Sequence, residues 1–106
     1  MKRIVEKRFG CVAFAAKILG DKWTPLIIKN VCEGHTRFSE MQTLNRINPR
    51  TLSAKLDLLE ESEIITKTIF PGSVTRVDYT LTEKGEDLIP ILRSMAAWGN
   101  KYSSHE

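Results

Sequence analysis

Apolar residues recur through most of this 106-residue chain at the three- and four-residue spacing of helices, broken by one stretch with a two-residue period. In "CVAFAAKIL" (11–19), Cys11, Phe14, Ala15, Ile18 and Leu19 share one side, and Gly20 suits a helix end. "DKWTPLIIKNVCEG" reads as a second helix, with Trp23, Ile27 and Val31 in a stripe widened by Leu26 and Ile28. Asp21 or Thr24 can cap it, and Gly34 stops it. "TRFSEMQTLNRI" gives a third, with Phe38, Met41 and Leu44 facing inward and Thr36 or Ser39 as cap, the latter with Gln42 as its capping-box partner. The turn Asn45 to Asn48 leads into "NPRTLSAKLDLLEE" (48–61), where Asn48 caps, Pro49 takes the first helical position, and Leu52, Leu56 and Leu59 face the core.

The period then changes. "IITKTIF" (64–70) and "TRVDYTL" (75–81) are rich in β-branched and aromatic residues, and Val77, Tyr79 and Leu81 alternate with Arg76, Asp78 and Thr80. With "PGSV" as the turn, this is a β-hairpin. The last segment, "TEKGEDLIPILRSMAAWGNKY", returns to helical spacing but with two apolar lines. One is Leu88, Leu92 and Met95; the other is Ile91, Met95, Trp98 and Tyr102. A surface helix needs an apolar stripe of only about 100°, so the excess predicts a dimer surface. Pro90 must kink this helix or sit near its start.

Two short helices joined by a tight turn form a helix-turn-helix, and a hairpin directly after the second is a wing. The expected fold class is α+β, mainly α: one winged helix-turn-helix domain spanning 1–106. The helix-turn-helix occupies 36–62, the wing hairpin 64–81, and dimerisation helices 11–19 and 83–102 flank them. The length suits a single domain with a modest core. No apolar run approaches the about 20 residues of a membrane span, and the charged "MKRIVEKRFG" does not read as a signal peptide, so cytoplasmic residence is expected. Two cysteines, Cys11 and Cys32, suggest no disulfide framework. With only His35 and His105 beside them there is no metal-ligand spacing, and no cofactor is expected. There is no phosphate loop, carboxylate pair or nucleophile constellation, so an enzyme is not expected.

Charge gives the second helix of the pair a role. The chain carries a net +3, with Lys2, Arg3, Lys7 and Arg8 clustered at its start. On the helix from 48 to 61, the side away from the leucines carries Arg50, Thr51, Ser53, Ala54, Lys55 and Asp57, while Glu60, Glu61 and Glu63 come late. Small polar residues and early cations suit a helix that enters a major groove with its N-terminal end against base edges. Arg50 can fork onto guanine O6 and N7 or grip phosphate; Lys55 suits phosphate. In the wing, Arg76 is the candidate for a minor-groove or phosphate contact, with Lys67 beside it. Arg37 completes the expected DNA-facing set. Asp57 either accepts from a cytosine amino group or pairs with a neighbouring cation; the sequence does not choose. Cys32, ending an apolar helix, is expected in the core, and His35 in a loop.

Taken in order, "CVAFAAKILGDKWTPLIIKNVCEGHTRFSEM", "LSAKLDLLEES", "RVDYTLTEKG" and "IPILRSMAAWG" resemble an HxlR-type winged helix-turn-helix regulator over about residues 11–102. The resemblance implies a transcription regulator that binds double-stranded DNA, at a pseudo-palindromic operator, as a homodimer formed by its first and last helices. It also implies that Cys11 stands where some members sense oxidants or electrophiles. Physical chemistry adds that a thiol at a helix N-terminus lies where the dipole favours thiolate, whereas a cysteine on an apolar side is often a small core residue. The chain departs from the pattern at Glu63, where glycine is common, and at Asp57, where a basic residue is common. The expected function is sequence-specific repression with thiol modification of Cys11 as a release signal. Two other readings stay open: a winged-helix protein-interaction module without DNA binding, and a regulator sensing a small ligand in the dimer cavity.

Overall fold

The computed structural model describes residues 10–104; the basic cluster Lys2, Arg3, Lys7 and Arg8, and His105, lie outside them. In chain order the elements are α1 (Val12–Leu19), α2 (Trp23–Cys32), α3 (Phe38–Asn45), α4 (Pro49–Glu61), β1 (Ile65–Phe70), β2 (Arg76–Leu81), α5 (Glu83–Glu86) and α6 (Ile89–Tyr102). The two strands pair antiparallel, from Ile65 opposite Leu81 to Phe70 opposite Arg76. This is the expected winged helix-turn-helix, mostly helical with a small wing.

One core joins the pieces. Ile27, Ile28 and Val31 of α2, Met41 of α3, Ile47 of the turn, and Leu52, Leu56 and Leu59 of α4 pack with Ile64, Ile65 and Tyr79. The leucines bury because i, i+4 and i+7 share one helix face. Asn30, also buried, accepts a hydrogen bond from Asn45 Nδ2 at 2.7 Å and so ties α2 to the end of α3.

The helix ends explain the turns. Asp21 Oδ1 accepts from the backbone N–H groups of Trp23 and Thr24 at 3.0 and 2.7 Å, so Asp21 caps α2. At α3 the reading differs: neither Thr36 nor Ser39 caps, and Glu40 Oε1 instead accepts from the Arg37 N–H at 3.2 Å. Arg46, at φ 52°, reverses the chain into α4. There Asn48 Oδ1 accepts from the N–H of Arg50 at 2.8 Å, with Pro49 in the first turn as expected. Glu63 takes φ 62° after α4, which accounts for the glycine preferred at this position.

Three expectations are corrected. Leu44 does not face inward; it is 53% exposed. Each three-residue step falls about 60° short of a full turn, so the inward line from Phe38 through Met41 drifts off the core by Leu44. Cys32 is exposed, because Ile27, Ile28 and Val31 take the core side of α2 and the next residue turns away. The helix expected over 83–102 is two helices. Thr82 Oγ1 accepts from the Gly85 N–H at 3.1 Å to cap the short α5, and Pro90 starts α6. Of the two apolar lines, Leu88 and Leu92 pack on the core, while Ile91, Met95, Trp98 and Tyr102 are exposed. Helix α1 buries no residue, and its Val12 and Phe14 are exposed. Among the described residues no helix is long and apolar enough to cross a membrane.

Candidate nucleic-acid interface

The outward stripe of α4 is built by the same periodicity that buries its leucines. Arg50, Ser53, Ala54 and Asp57 are exposed at i, i+3, i+4 and i+7. Thr51 and Lys55 lie on the flank and are half-buried. The Arg50 backbone is fixed by the Asn48 cap, and among the described residues its guanidinium has no ion-pair partner. Short side chains at 53 and 54 leave room for another surface to approach. The pattern is a cation at the helix start, small groups in the middle, and acids at the end.

Lys55, expected at a phosphate, has a partner within the fold. Its ammonium reaches back to Asp21 Oδ2 at 2.5 Å, joining α4 to the cap of α2. Burial raises the Asp21 carboxyl, but hydrogen bonds from Lys55 and from the backbone and hydroxyl of Thr24, with the Lys55 charge, outweigh it and hold the group below its ordinary 3.8. The residue that reorients Lys55 is distant in sequence, so no local pattern reveals the pair.

The wing places its two cations on opposite faces. Lys67 lies opposite Tyr79, on the face that carries Ile65 and Leu81; Arg76 lies opposite Phe70, on the other face. Lys67 is therefore not beside Arg76, because the two-residue period separates odd from even positions. Arg76 grips Asp78 through Nε and Nη2, the latter at 3.1 Å from Oδ2, and its guanidinium carbon lies 5.8 Å from the Phe70 ring centre. Arg37 Nε lies 3.6 Å from Asp78 Oδ1 on the other side. Asp78 is a member of the site that the sequence reading missed. The Arg-x-Asp spacing, which sets both side chains on one strand face, is the signal that could have found its pairing with Arg76.

Behind this surface, Tyr79 is buried, and its N–H donates to Thr36 O at 3.0 Å, which fastens β2 to the start of the helix-turn-helix. Burial, then Glu60 and Asp57 of α4, raise the Tyr79 phenol above its ordinary value. Cys11 is exposed immediately before α1. Lys7 and Arg8, shortly before it in the sequence, lie outside the described residues. No group of three or more His, Cys, Asp or Glu among the described residues could hold a metal ion.

The family described as HxlR-like helix-turn-helix matches residues 18–106. An uncharacterized HTH-type transcriptional regulator of Methanothermobacter thermautotrophicus is 38% identical over 96 residues, 90% of this chain and 73% of that protein. The HTH-type transcriptional regulator YodB of Bacillus subtilis is 36% identical over 89 residues, 83% of this chain and 80% of YodB. The reduced form of YodB superposes with a TM-score of 0.74 at 34% identity, covering 87% of this chain and 91% of that one. The redox regulator HypR superposes in its reduced form with a TM-score of 0.80 at 31% identity, over 85% of this chain and 90% of HypR. Its oxidized form gives 0.83 at 29% identity, over 89% and 98%.

Proposed function

The chain belongs to the HxlR-like helix-turn-helix family and is a transcriptional regulator, and from that premise we propose that it is a cytoplasmic, homodimeric repressor whose α4 enters the major groove of operator DNA. The observation that carries this is the outward stripe of α4: Arg50 at a capped helix start, then Ser53 and Ala54, with Leu52, Leu56 and Leu59 turned to the core. Arg50 reads a base or grips phosphate, and Thr51, Ser53 and Ala54 line the approach. Arg37, Lys67 and Arg76 contact the flanking backbone or minor groove. The exposed apolar faces of α1 and α6 pair with a second copy, presenting two copies of α4 about 34–36 Å apart to successive major grooves.

Release by thiol chemistry at Cys11 completes the reading. Its support is the thiol's exposure at the edge of α1, together with the likeness to a redox regulator in both its reduced and oxidized forms. An adduct or disulfide there would shift one protomer against the other and spoil the groove spacing.

The test is a titration of the reduced protein with duplex DNA from its own upstream region, at two salt concentrations, before and after diamide, with Cys11→Ser alongside. Selective binding lost on oxidation in the wild type and kept in Cys11→Ser is the expected result. Selective binding indifferent to oxidant would retire Cys11 as the sensor and leave a small ligand between protomers as the signal. Absence of selective binding in every state would replace DNA recognition with a protein-interaction role.

A further inference from the structure

Asp78 stands between two arginines that come from different parts of the fold. Arg37 immediately precedes α3 of the helix-turn-helix, and Arg76 begins β2 of the wing. The Asp78 carboxylate meets Arg37 Nε at 3.6 Å through Oδ1 and Arg76 Nη2 at 3.1 Å through Oδ2. Its side chain is only 16% exposed, whereas those of Arg37 and Arg76 are 44% and 57% exposed. The carboxylate is thus the sheltered centre of the triad, and the guanidinium groups are its open arms. The next residue fixes the geometry, since the Tyr79 N–H donates to Thr36 O at 3.0 Å beside the Arg37–Asp78 pair.

We propose that Asp78 is a positioning residue for DNA recognition, aiming Arg37 and Arg76 together and withholding them from indiscriminate phosphate contact. The inference rests on the DNA-docking reading above and adds a specificity device to it. A free arginine on a flexible stem grips any phosphate in reach. One forked onto a sheltered carboxylate has fewer orientations and a partner that a phosphate must replace. The triad spans the joint between wing and helix-turn-helix, so its two cations can be engaged fully only by a duplex whose backbone passes both at the right separation. Affinity for arbitrary DNA is lowered, and the preference for a fitting site rises.

The experiment compares wild type, Asp78→Asn, Asp78→Glu and Glu33→Gln, each as the full chain. Glu33 pairs with Lys29 at the end of α2, so its variant adds the same unit of charge without touching the triad. Each protein is titrated with its own upstream duplex and with a scrambled duplex of equal length across a salt series, and its thermal unfolding is recorded. Asp78→Asn is expected to bind the scrambled duplex more tightly, with a salt slope steeper by about 0.9 for each further phosphate that it neutralises. The ratio between the two duplexes should narrow, and Asp78→Glu should restore it. An equal change in Glu33→Gln would reduce the effect to net charge and overturn the proposal. So would a uniform loss on both duplexes with unchanged slope and a lowered unfolding temperature, since that marks a structural role only. Should the folded wild type itself show no preference between duplexes, the docking reading falls and the positioning role with it. Should wild type discriminate and Asp78→Asn behave identically, the positioning role falls by itself.

Discussion

The ammonium of Lys55 lies 2.5 Å from Asp21 Oδ2, so α4 is bound through its flank to the residue that caps α2. Lys55 is therefore engaged within the fold, whereas Arg50 is exposed. Lys55→Met is expected to cost about 0.2–1 kcal/mol of stability, as a partly exposed ion pair does, and to leave the salt slope of DNA binding nearly unchanged. Arg50→Ala should do the reverse. It should leave stability intact and cost ~1–3 kcal/mol at one base pair if Arg50 reads a base. If Arg50 grips phosphate, the loss should be uniform across sequences and the slope shallower by about 0.9. Titrations of both variants with matched and mismatched duplexes check this; a slope change in Lys55→Met would return Lys55 to the phosphate.

The same pair sets a dependence on acid. The folded Asp21 carboxyl sits below its ordinary 3.8, because hydrogen bonds from Lys55 and Thr24 outweigh the upward push of burial. A depressed folded value means that the unfolded chain takes up the proton first. The stabilisation is complete above 3.8 and drains as the pH falls through the folded value. Asp21→Asn keeps a capping oxygen but loses the charge. Its urea midpoint should fall below wild type at about pH 7, and the gap should narrow progressively as the pH drops below 3.8. A gap that persists undiminished in acid would assign the effect to the cap.

Local pattern and long-range pairing divide what could be read in advance. The cap and first turn of α4 were legible because Asn48, Pro49 and the leucines act within a few residues of one another. The wing was legible because Val77, Tyr79 and Leu81 keep a strict two-residue alternation. The partners of Lys55 and Arg37 were not, since Asp21 and Asp78 are far off along the chain and only the packing of α2, α4 and β2 brings them near. Cys32 illustrates a different limit. Its place at the end of an apolar helix suggested the core, but one step around a helix moves a side chain by about 100°.

Glu63 offers a gain in stability. It holds φ 62° where α4 gives way to β1, with the Ile64 N–H donating to Leu59 O at 2.9 Å. A side chain in this region carries a steric cost that glycine escapes, against glycine's larger entropy in the unfolded chain. Glu63→Gly should raise stability by about 0.5–1 kcal/mol, because the native backbone already has the form that glycine favours. Urea unfolding measures it; a fall in stability would mean that the Glu63 side chain makes an interaction outweighing the strain.

Gly85 is the opposite case, a glycine required by space. A Cβ there would collide with Ile64 O and lie 3.1 Å from Leu81 Cδ2, and the first of these is backbone that cannot turn aside. Ile64 O also accepts the Thr82 N–H at 3.0 Å, so moving it disturbs the junction of wing and α5. Gly85→Ala should therefore destabilise by at least ~1–3 kcal/mol, the usual range for overpacking. An unfolding midpoint equal to wild type would show that α5 can slide to make room.

Trp98 tests the assembly. It is 69% exposed on α6, its ring centre 5.3 Å from that of Tyr102, with Ile91 and Met95 continuing the apolar line. None of these four residues is in the protomer core, so removing one should leave the fold intact. In a two-fold interface each residue counts twice. With ~2 kcal/mol for an aromatic anchor on each side, loss of Trp98 amounts to roughly a thousandfold in dimer dissociation. Trp98→Glu adds charge repulsion to that loss. The expected outcome is a protein with wild-type helical circular dichroism that sediments as a monomer at concentrations where wild type is dimeric. Its affinity for a two-half-site operator should collapse, while binding to a single half-site persists. A Trp98→Glu protein that stays dimeric with unchanged dissociation would move the interface away from this face of α6, and the spacing of the two copies of α4 would then have to be set by another surface.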